Sequence, residues 1–345
     1  MRYFPSLPKK RVPGLRLLLT ALLATGCETT IDIPTPEETL RLAVVYTLSN
    51  QPPVRGQPGV ADARTPYVSA SRRLFEEGPL GRNDATVEVL DARGQVVESF
   101  TNTPTISGLV IPLGDGSYTA TRNFRAQPGE TYTLRASAPG LEAVESTLTL
   151  PAAARVETAS FVPHTANSPN RPPAPVQGRL SITVPDNPAT TDYYLVYARV
   201  LDQAGKLWGN LLPDYTTQNN DLDIDSWRVV ADRFQLSKDR RTDLDASPYP
   251  YADAGRNGQP LTLNSDAFAY SQARITAGSP PPEPFYIEVT VSSITRDTYL
   301  FYQSLRRYYA AKNNVFAEPA PLVSNIRNGY GLFGGATDVT YRFKL

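Results

Sequence analysis

Apolar and polar residues alternate with a period of two in many short segments of this chain, which is the pattern of β-strands with one buried face. In 86–91, Val87 and Val89 alternate with Glu88, and Arg93-Gly94 then predicts a hairpin turn into a second strand at 95–100. Similar segments predict strands at 40–46, 114–120, 128–136 and 144–150. Strands at this spacing, separated by turn residues, indicate a β-sandwich.

The second half of the chain carries the same pattern together with one helix. Strands are predicted at 178–184, 193–200, 285–292 and 338–345, whereas 202–260 is interpreted as irregular. Asp297 is the predicted N-cap of a helix ending near 312, and apolar residues recur every three or four positions along it, among them Phe301, Leu305 and Tyr308. This stripe is predicted to pack in the core rather than to bind a cofactor.

These elements predict a mainly β protein with two sandwich domains, immunoglobulin-like or prealbumin-like, of which the second carries the helix. The N-terminal sandwich covers 40–150 and the C-terminal β-rich domain covers 178–345. The segment 151–177, rich in Ala, Pro, Asn and Ser, is predicted to be the linker between them.

The start of the chain has the organisation of a lipoprotein signal peptide. Basic residues precede a short apolar run at 17–23, and small residues then lead into Cys27, the only cysteine. The run is too short to span a bilayer, which needs about 20 residues, and it fits a cleaved signal. We therefore predict a signal peptide at 1–26, lipidation of Cys27, and a polar tether at 27–39. An ordinary signal peptide with an incidental cysteine is the alternative.

The amino-acid composition of the chain argues against several classes of function. The 345 residues contain 34 basic and 34 acidic side chains, and removal of the signal leaves 29 basic residues, a net charge of −5. Without a basic stripe, nucleic-acid binding has little support. The single histidine, His164, lies in the predicted linker, so neither a Ser-His-Asp triad nor a His-rich zinc site is expected. We predict a non-enzymatic protein without a cofactor, and only carboxylate- or lysine-based chemistry stays open.

Three sequence features are candidate sites. The stretch 329–334 matches G-x-G-x-x-G but leads into a predicted strand instead of a helix, and is interpreted as a glycine-rich loop. Asp221, Asp223 and Asp225 resemble the start of a calcium loop, although the glycine and glutamate of that motif are missing. Four aromatic residues in loop-like stretches are weak candidates for ligand binding, and covering the edge of the core is the alternative role: Trp208, Trp227, Tyr249 and Tyr251.

The C-terminal part resembles one known family. The segments that carry the resemblance are ITRDTYLFYQSL at 294–305, NVFAEP at 314–319 and VSNIRNGYGLFGG at 323–335, with CETTIDI at 27–33 near the start. They are similar to the DUF4249 domain-containing lipoproteins of Bacteroidota. The resemblance implies an outer-membrane lipoprotein, often encoded beside a TonB-dependent receptor, and implies no established activity. Glu28 and Asp32 after the cysteine favour the cell surface over the periplasmic face.

The expected function is therefore that of an accessory lipoprotein, which sits on the outer membrane by its lipid anchor and works with a TonB-dependent transporter. Loops of the C-terminal domain are expected to bind the ligand. The alternative is a structural or adhesive envelope lipoprotein with no role in transport. A hydrolase that uses two carboxylates in one cleft is a third reading.

Overall fold

Fifteen strands and one helix make up the part of the chain that this computed structural model describes: residues 39–51, 64–71, 81–102, 116–164, 174–213, 249–254, 258–271, 282–312, 318 and 320–345. The predicted mainly β fold is confirmed. The elements are β1 (Leu42–Ser49), β2 (Tyr67–Ala70), β3 (Thr86–Leu90), β4 (Val96–Asn102), β5 (Tyr118–Ala120), β6 (Thr131–Ser137), β7 (Val144–Thr149), β8 (Thr158–Pro163), β9 (Val176–Val184), β10 (Tyr193–Leu201), β11 (Leu207–Pro213), β12 (Tyr251–Ala252), β13 (Leu261–Ala269), β14 (Tyr286–Ile294), α1 (Arg296–Lys312) and β15 (Tyr330–Lys344).

The strands form two sheets. The smaller has five strands in the order β5-β4-β3-β6-β7, and all its neighbours are antiparallel. The larger has ten, in the order β2-β1-β15-β14-β10-β11-β13-β9-β8, with β12 paired to β10. Within the larger sheet β1 and β15 run parallel, from the pair Ala43–Tyr330 to the pair Ser49–Ala336.

The hairpin between β3 and β4 shows how local sequence determines local structure. Gly94 takes a φ of 78°, in the left-handed region that glycine adopts at no steric cost. Its N–H donates to the carbonyl of Asp91, and the Asp91 carboxylate accepts the N–H groups of Arg93 and Gln95. The predicted turn at Arg93-Gly94 is confirmed.

Two hydrophobic cores follow from the sheets. The first lies between the five-stranded sheet and β1, β2 and β15, with Val44 and Phe333 on one side and Val89 and Leu134 on the other. The second brings together side chains of β9 and β14, although three strands separate them in the sheet order. The larger sheet must therefore curl back on itself around this core.

The helix α1 covers the opposite face of β10 and β15. Leu195 and Tyr197 of β10 pack with Phe301 and Tyr302 of the helix, so β10 is buried on both faces. Tyr308 is exposed, and the predicted core stripe therefore ends before it. The predicted N-cap also needs correction: the helix begins at Arg296, and the hydroxyl of Thr295 accepts the N–H of Thr298.

Other predicted boundaries differ from the observed strands. Strand β1, assigned from sequence to the N-terminal sandwich, pairs with β15 at the end of the chain. The predicted linker 151–177 contains β8, which pairs with β9, and the predicted irregular region 202–260 contains β11 and β12. Contacts group Thr39–Leu345 into one unit. The predicted glycine-rich loop mostly lies in β15, where Gly331 and Gly334 let other chain segments approach closely.

Candidate functional site

A row of alternating charges crosses the outer face of the five-stranded sheet. Glu88 of β3 is in register with Arg135 of β6, and Arg135 is in register with Glu145 of β7. Beyond β7, Glu145 forms an isolated β-bridge with Arg327, in the turn that precedes β15. Period-2 alternation directs these side chains outward because Val87, Leu134 and Val144 occupy the inward positions.

Ion pairs fix the row. Glu145 Oε2 accepts from Arg135 Nε at 2.9 Å, and Glu145 Oε1 accepts from Arg327 Nη2 at 2.8 Å. More than half of each arginine side chain is exposed, at 59% for Arg135 and 69% for Arg327. Exposed pairs of this kind contribute at most about 1 kcal/mol to stability. The arginines are therefore held in place while their outer N–H groups still face solvent.

The row lines an open groove, which we call the charged groove. Its cavity has a volume of about 290 Å³ and is bounded by Thr86, Glu88, Arg135, Ala136, Ser137, Ala143, Val144, Glu145, Arg327 and Asn328. Both oxygens of the Glu145 carboxylate accept hydrogen bonds from guanidinium groups. The groove therefore presents both positive and negative groups to a ligand.

Sequence reasoning missed this groove. The outward positions of Glu88, Arg135 and Glu145 follow from alternation along each strand, but their registry across three strands does not. Arg327 lies 182 positions from Glu145, so only the fold brings the two together. The available signal was the presence of an outward charge in each of three predicted strands.

Comparison with known proteins identifies the family. The family model described as Domain of unknown function (DUF4249) matches residues 53–342. The chain belongs to the DUF4249 family. Among curated proteins, none matches the chain. The DUF4249 match covers all of the charged groove.

In this DUF4249 protein, the aromatic candidates have different surroundings. Trp208 lies in β11, only 3% exposed, and its indole N–H donates to the carbonyl of Pro282 at 2.7 Å. Its predicted loop location is wrong, since it lies in a strand, and a ligand-binding role for Trp208 stays a prediction. Tyr251 lies in β12 and is buried, whereas Tyr249 is half-buried beside it, with ring centroids 5.0 Å apart.

Tyr249 belongs to a small aromatic cluster at the helix. The guanidinium of Arg306 lies 4.1 Å from the centroid of its ring, and the rings of Tyr193 and Tyr299 are 4.7 Å apart. Burial raises the pKa of Tyr299, and Tyr193 and Tyr249 add to the rise. The cluster packs α1 against the sheet, and a ligand-binding role for Tyr249 and Tyr251 stays a prediction.

The remaining predicted site residues are placed as follows. Cys27, Trp227, Asp221, Asp223 and Asp225 lie outside the described residues. His164, predicted to be a solvated linker residue, directly follows β8; its N–H donates to the carbonyl of Gln177, and its Nε2 lies 3.4 Å from Asp266 Oδ1. Within the described ranges, no helix combines the length and apolar character needed to cross a bilayer.

Proposed function

We propose that this protein is a non-enzymatic, lipid-anchored binding protein of the outer membrane, and that its charged groove contacts a TonB-dependent transporter. The observation that carries the proposal is the row of Glu88, Arg135, Glu145 and Arg327, which presents fixed charges of alternating sign to solvent. Alternating charges set the register and the specificity of a contact more than its affinity. This suits an accessory protein that must recognise one partner.

The groove is prepared for binding before a partner arrives. Glu145 holds both arginines in place, so less side-chain freedom is lost when a partner docks. Carboxylates of the partner can pair with the outward guanidinium groups, and its basic groups can pair with Glu88. A surface of net zero charge adds little long-range attraction, and the lipid anchor at Cys27 supplies the high local concentration instead.

The anchor is tested by replacing Cys27 with alanine. Because Cys27 is the only cysteine, the Cys27→Ala variant has no thiol that can accept a lipid. We expect nearly all of the variant to leave the membrane fraction and to lose incorporation of a labelled fatty acid. A variant that stays membrane-bound in high salt would contradict lipid anchoring through this residue.

The partner contact is tested by charge reversal in the groove. We expect Arg327→Glu to lower the amount of TonB-dependent receptor that co-purifies after mild detergent extraction by about tenfold, because like charges then oppose each other. Arg93→Glu, in the exposed β3–β4 turn, is the matched control and should leave recovery unchanged. The melting temperature of both variants should stay near that of the wild type.

Two results would count against the proposal. If the wild-type protein elutes without a receptor under every mild extraction condition, the transporter partnership fails. If a deletion strain shows normal uptake but weakened envelope integrity or adhesion, the structural or adhesive alternative replaces it.

A further inference from the structure

Three carboxylates meet at one corner of the larger sheet, which we call the acidic corner: Asp186, Asp192 and Asp253. One oxygen of each lies within 4.8 Å of the others. Asp186 follows β9, Asp192 precedes β10, and Asp253 follows β12, so three elements bring together residues that are up to 67 positions apart. No basic side chain among the described residues forms an ion pair with any of the three.

The backbone holds the three carboxylates in position. Asp253 Oδ2 accepts the N–H of Asp192 at 3.0 Å, and the N–H of Asp253 donates to the carbonyl of Asp192 at 3.2 Å. Asp186 Oδ2 accepts the N–H of Gly258, which has a φ of 83° that an L side chain rarely adopts. The hydroxyl of Thr190 donates to Asp192 Oδ2 at 3.0 Å. Each side chain is thus oriented by a donor on one of its two oxygens.

Two other oxygens lack a donor. Asp253 is 2% exposed, and its Oδ1 is buried with no hydrogen-bond partner among the described residues. Asp186 Oδ1 is also buried and has no hydrogen-bond partner among the described residues. Burial raises the pKa of Asp253 and the Asp192 N–H opposes the rise, while the adjacent Asp186 carboxyl and repulsion from Asp186 and Asp192 add to it. A buried carboxylate oxygen without a partner is costly, and a positively charged ligand would relieve that cost.

We propose that the acidic corner is a divalent-cation site and that its ion is calcium. Calcium binds six to eight oxygen ligands at about 2.3–2.6 Å, so carboxylate oxygens on opposite sides of one ion lie up to about 5 Å apart. One oxygen of each carboxylate lies within 4.8 Å of the others, which is compatible with this limit. The described ligands are oxygen donors only, a set that suits calcium better than zinc. The site is independent of the transporter partnership proposed above.

Calcium at the corner would link β9, β10 and β12 through one ion. Extracellular calcium modules bind with dissociation constants of about 10⁻⁴–10⁻³ M, and the ion stabilises the folded state by mass action. A protein on the outer membrane would meet calcium in that concentration range, whereas the three charges would repel each other in its absence. Calcium from the medium around the cell would therefore order the acidic corner.

The test uses the full chain and two readouts, calcium-dependent melting and terbium luminescence. Addition of about 5 mM calcium to the EDTA-treated protein should raise the melting temperature by about 4 °C. Terbium at the corner should emit when tyrosine is excited, since Tyr194 lies near the site: burial raises its pKa, and the charges of Asp192, Asp186 and Asp253 add to the rise. Excess calcium should quench that emission.

Single substitutions test whether the calcium shift and the terbium emission arise at the acidic corner. Asp253→Asn should abolish the calcium shift and the terbium emission, yet it should melt no lower than the wild type in EDTA because it removes a crowded charge. If Asp253→Asn fails to fold, the same two measurements are made on Asp186→Asn, which changes a less buried position. Asp223→Asn, a neutralisation in the acidic stretch 221–225, is the matched control and should keep both signals.

Three outcomes would overturn the inference. The first is an equal calcium shift in Asp253→Asn and the wild type. The second is loss of the signal in Asp223→Asn instead, which would place the ion at 221–225. The third is a response to pH without any response to calcium or terbium, which would show that a shared proton alone neutralises the corner.

Discussion

Replacing Gly331 with alanine is expected to lower the free energy of unfolding by roughly 3–6 kcal/mol, the largest effect of any single substitution considered for this chain. Gly331 lies in β15 with a φ of 112°, which an L residue adopts only under strain. An added Cβ would overlap the carbonyl oxygen of Val44 and lie 2.8 Å from its carbonyl carbon. Backbone atoms of β1 cannot move aside without breaking the parallel β1–β15 pairing. Urea unfolding of the purified variant measures the loss.

The Gly94→Ala variant separates the strain of a positive φ from the steric overlap of the added Cβ. Gly94 also has a positive φ, of 78°, but nothing lies within 4 Å of its added Cβ. This variant should lose only the conformational part, about 1 kcal/mol. Equal losses at Gly94 and Gly331 would show that the close approach of β1 and β15 contributes nothing.

Replacing Glu98 with alanine is expected to cost roughly 3–5 kcal/mol. Glu98 is a buried carboxylate of β4, and its two oxygens accept four backbone N–H groups, those of Ser99, Thr121, Arg122 and Phe124. Without the carboxylate the N–H groups of Ser99, Arg122 and Phe124 lose this acceptor, whereas the N–H of Thr121 keeps its second acceptor, the Ser99 carbonyl. The segment after β5 is then held less firmly to the sheet. Thermal melting and hydrogen exchange of 121–124 would both report the change.

Two further variants calibrate this effect. Glu142→Ala removes an exposed carboxylate and should change stability by less than about 0.5 kcal/mol. Glu98→Gln keeps one acceptor oxygen but places an amide NH₂ against backbone donors. Its loss of stability should therefore lie between those of Glu142→Ala and Glu98→Ala. Wild-type stability for Glu98→Ala would mean that water replaces all four interactions.

Features set by neighbours in sequence could be predicted, and features set by pairing between distant segments could not. The β3–β4 turn follows from Asp91, Arg93 and Gly94, and the body of α1 follows from its spacing of apolar residues. The Ala, Pro, Asn and Ser content of 151–177 predicts a linker, whereas the segment contains β8, a mostly exposed strand at the edge of the larger sheet. An edge strand buries only part of one face and so leaves little periodic signal.

The candidate sites show the same division. Each aspartate of the acidic corner looks like an ordinary loop residue in sequence, and only the β10–β12 pairing brings Asp253 to Asp192. The charged groove likewise depends on the register of β3, β6 and β7. Trp208 was predicted to lie in a loop-like stretch, but it belongs to β11 and packs in the second core.

The parallel pairing of β1 with β15 has a consequence for how the chain folds as it is made. Val44 of β1 pairs with Gly331, 287 positions later, so the first core stays open on one side until the last strand has emerged. Contacts so distant in sequence close late and slowly. The apolar face of β1 must therefore remain uncovered during most of synthesis, a period in which a chaperone is needed most.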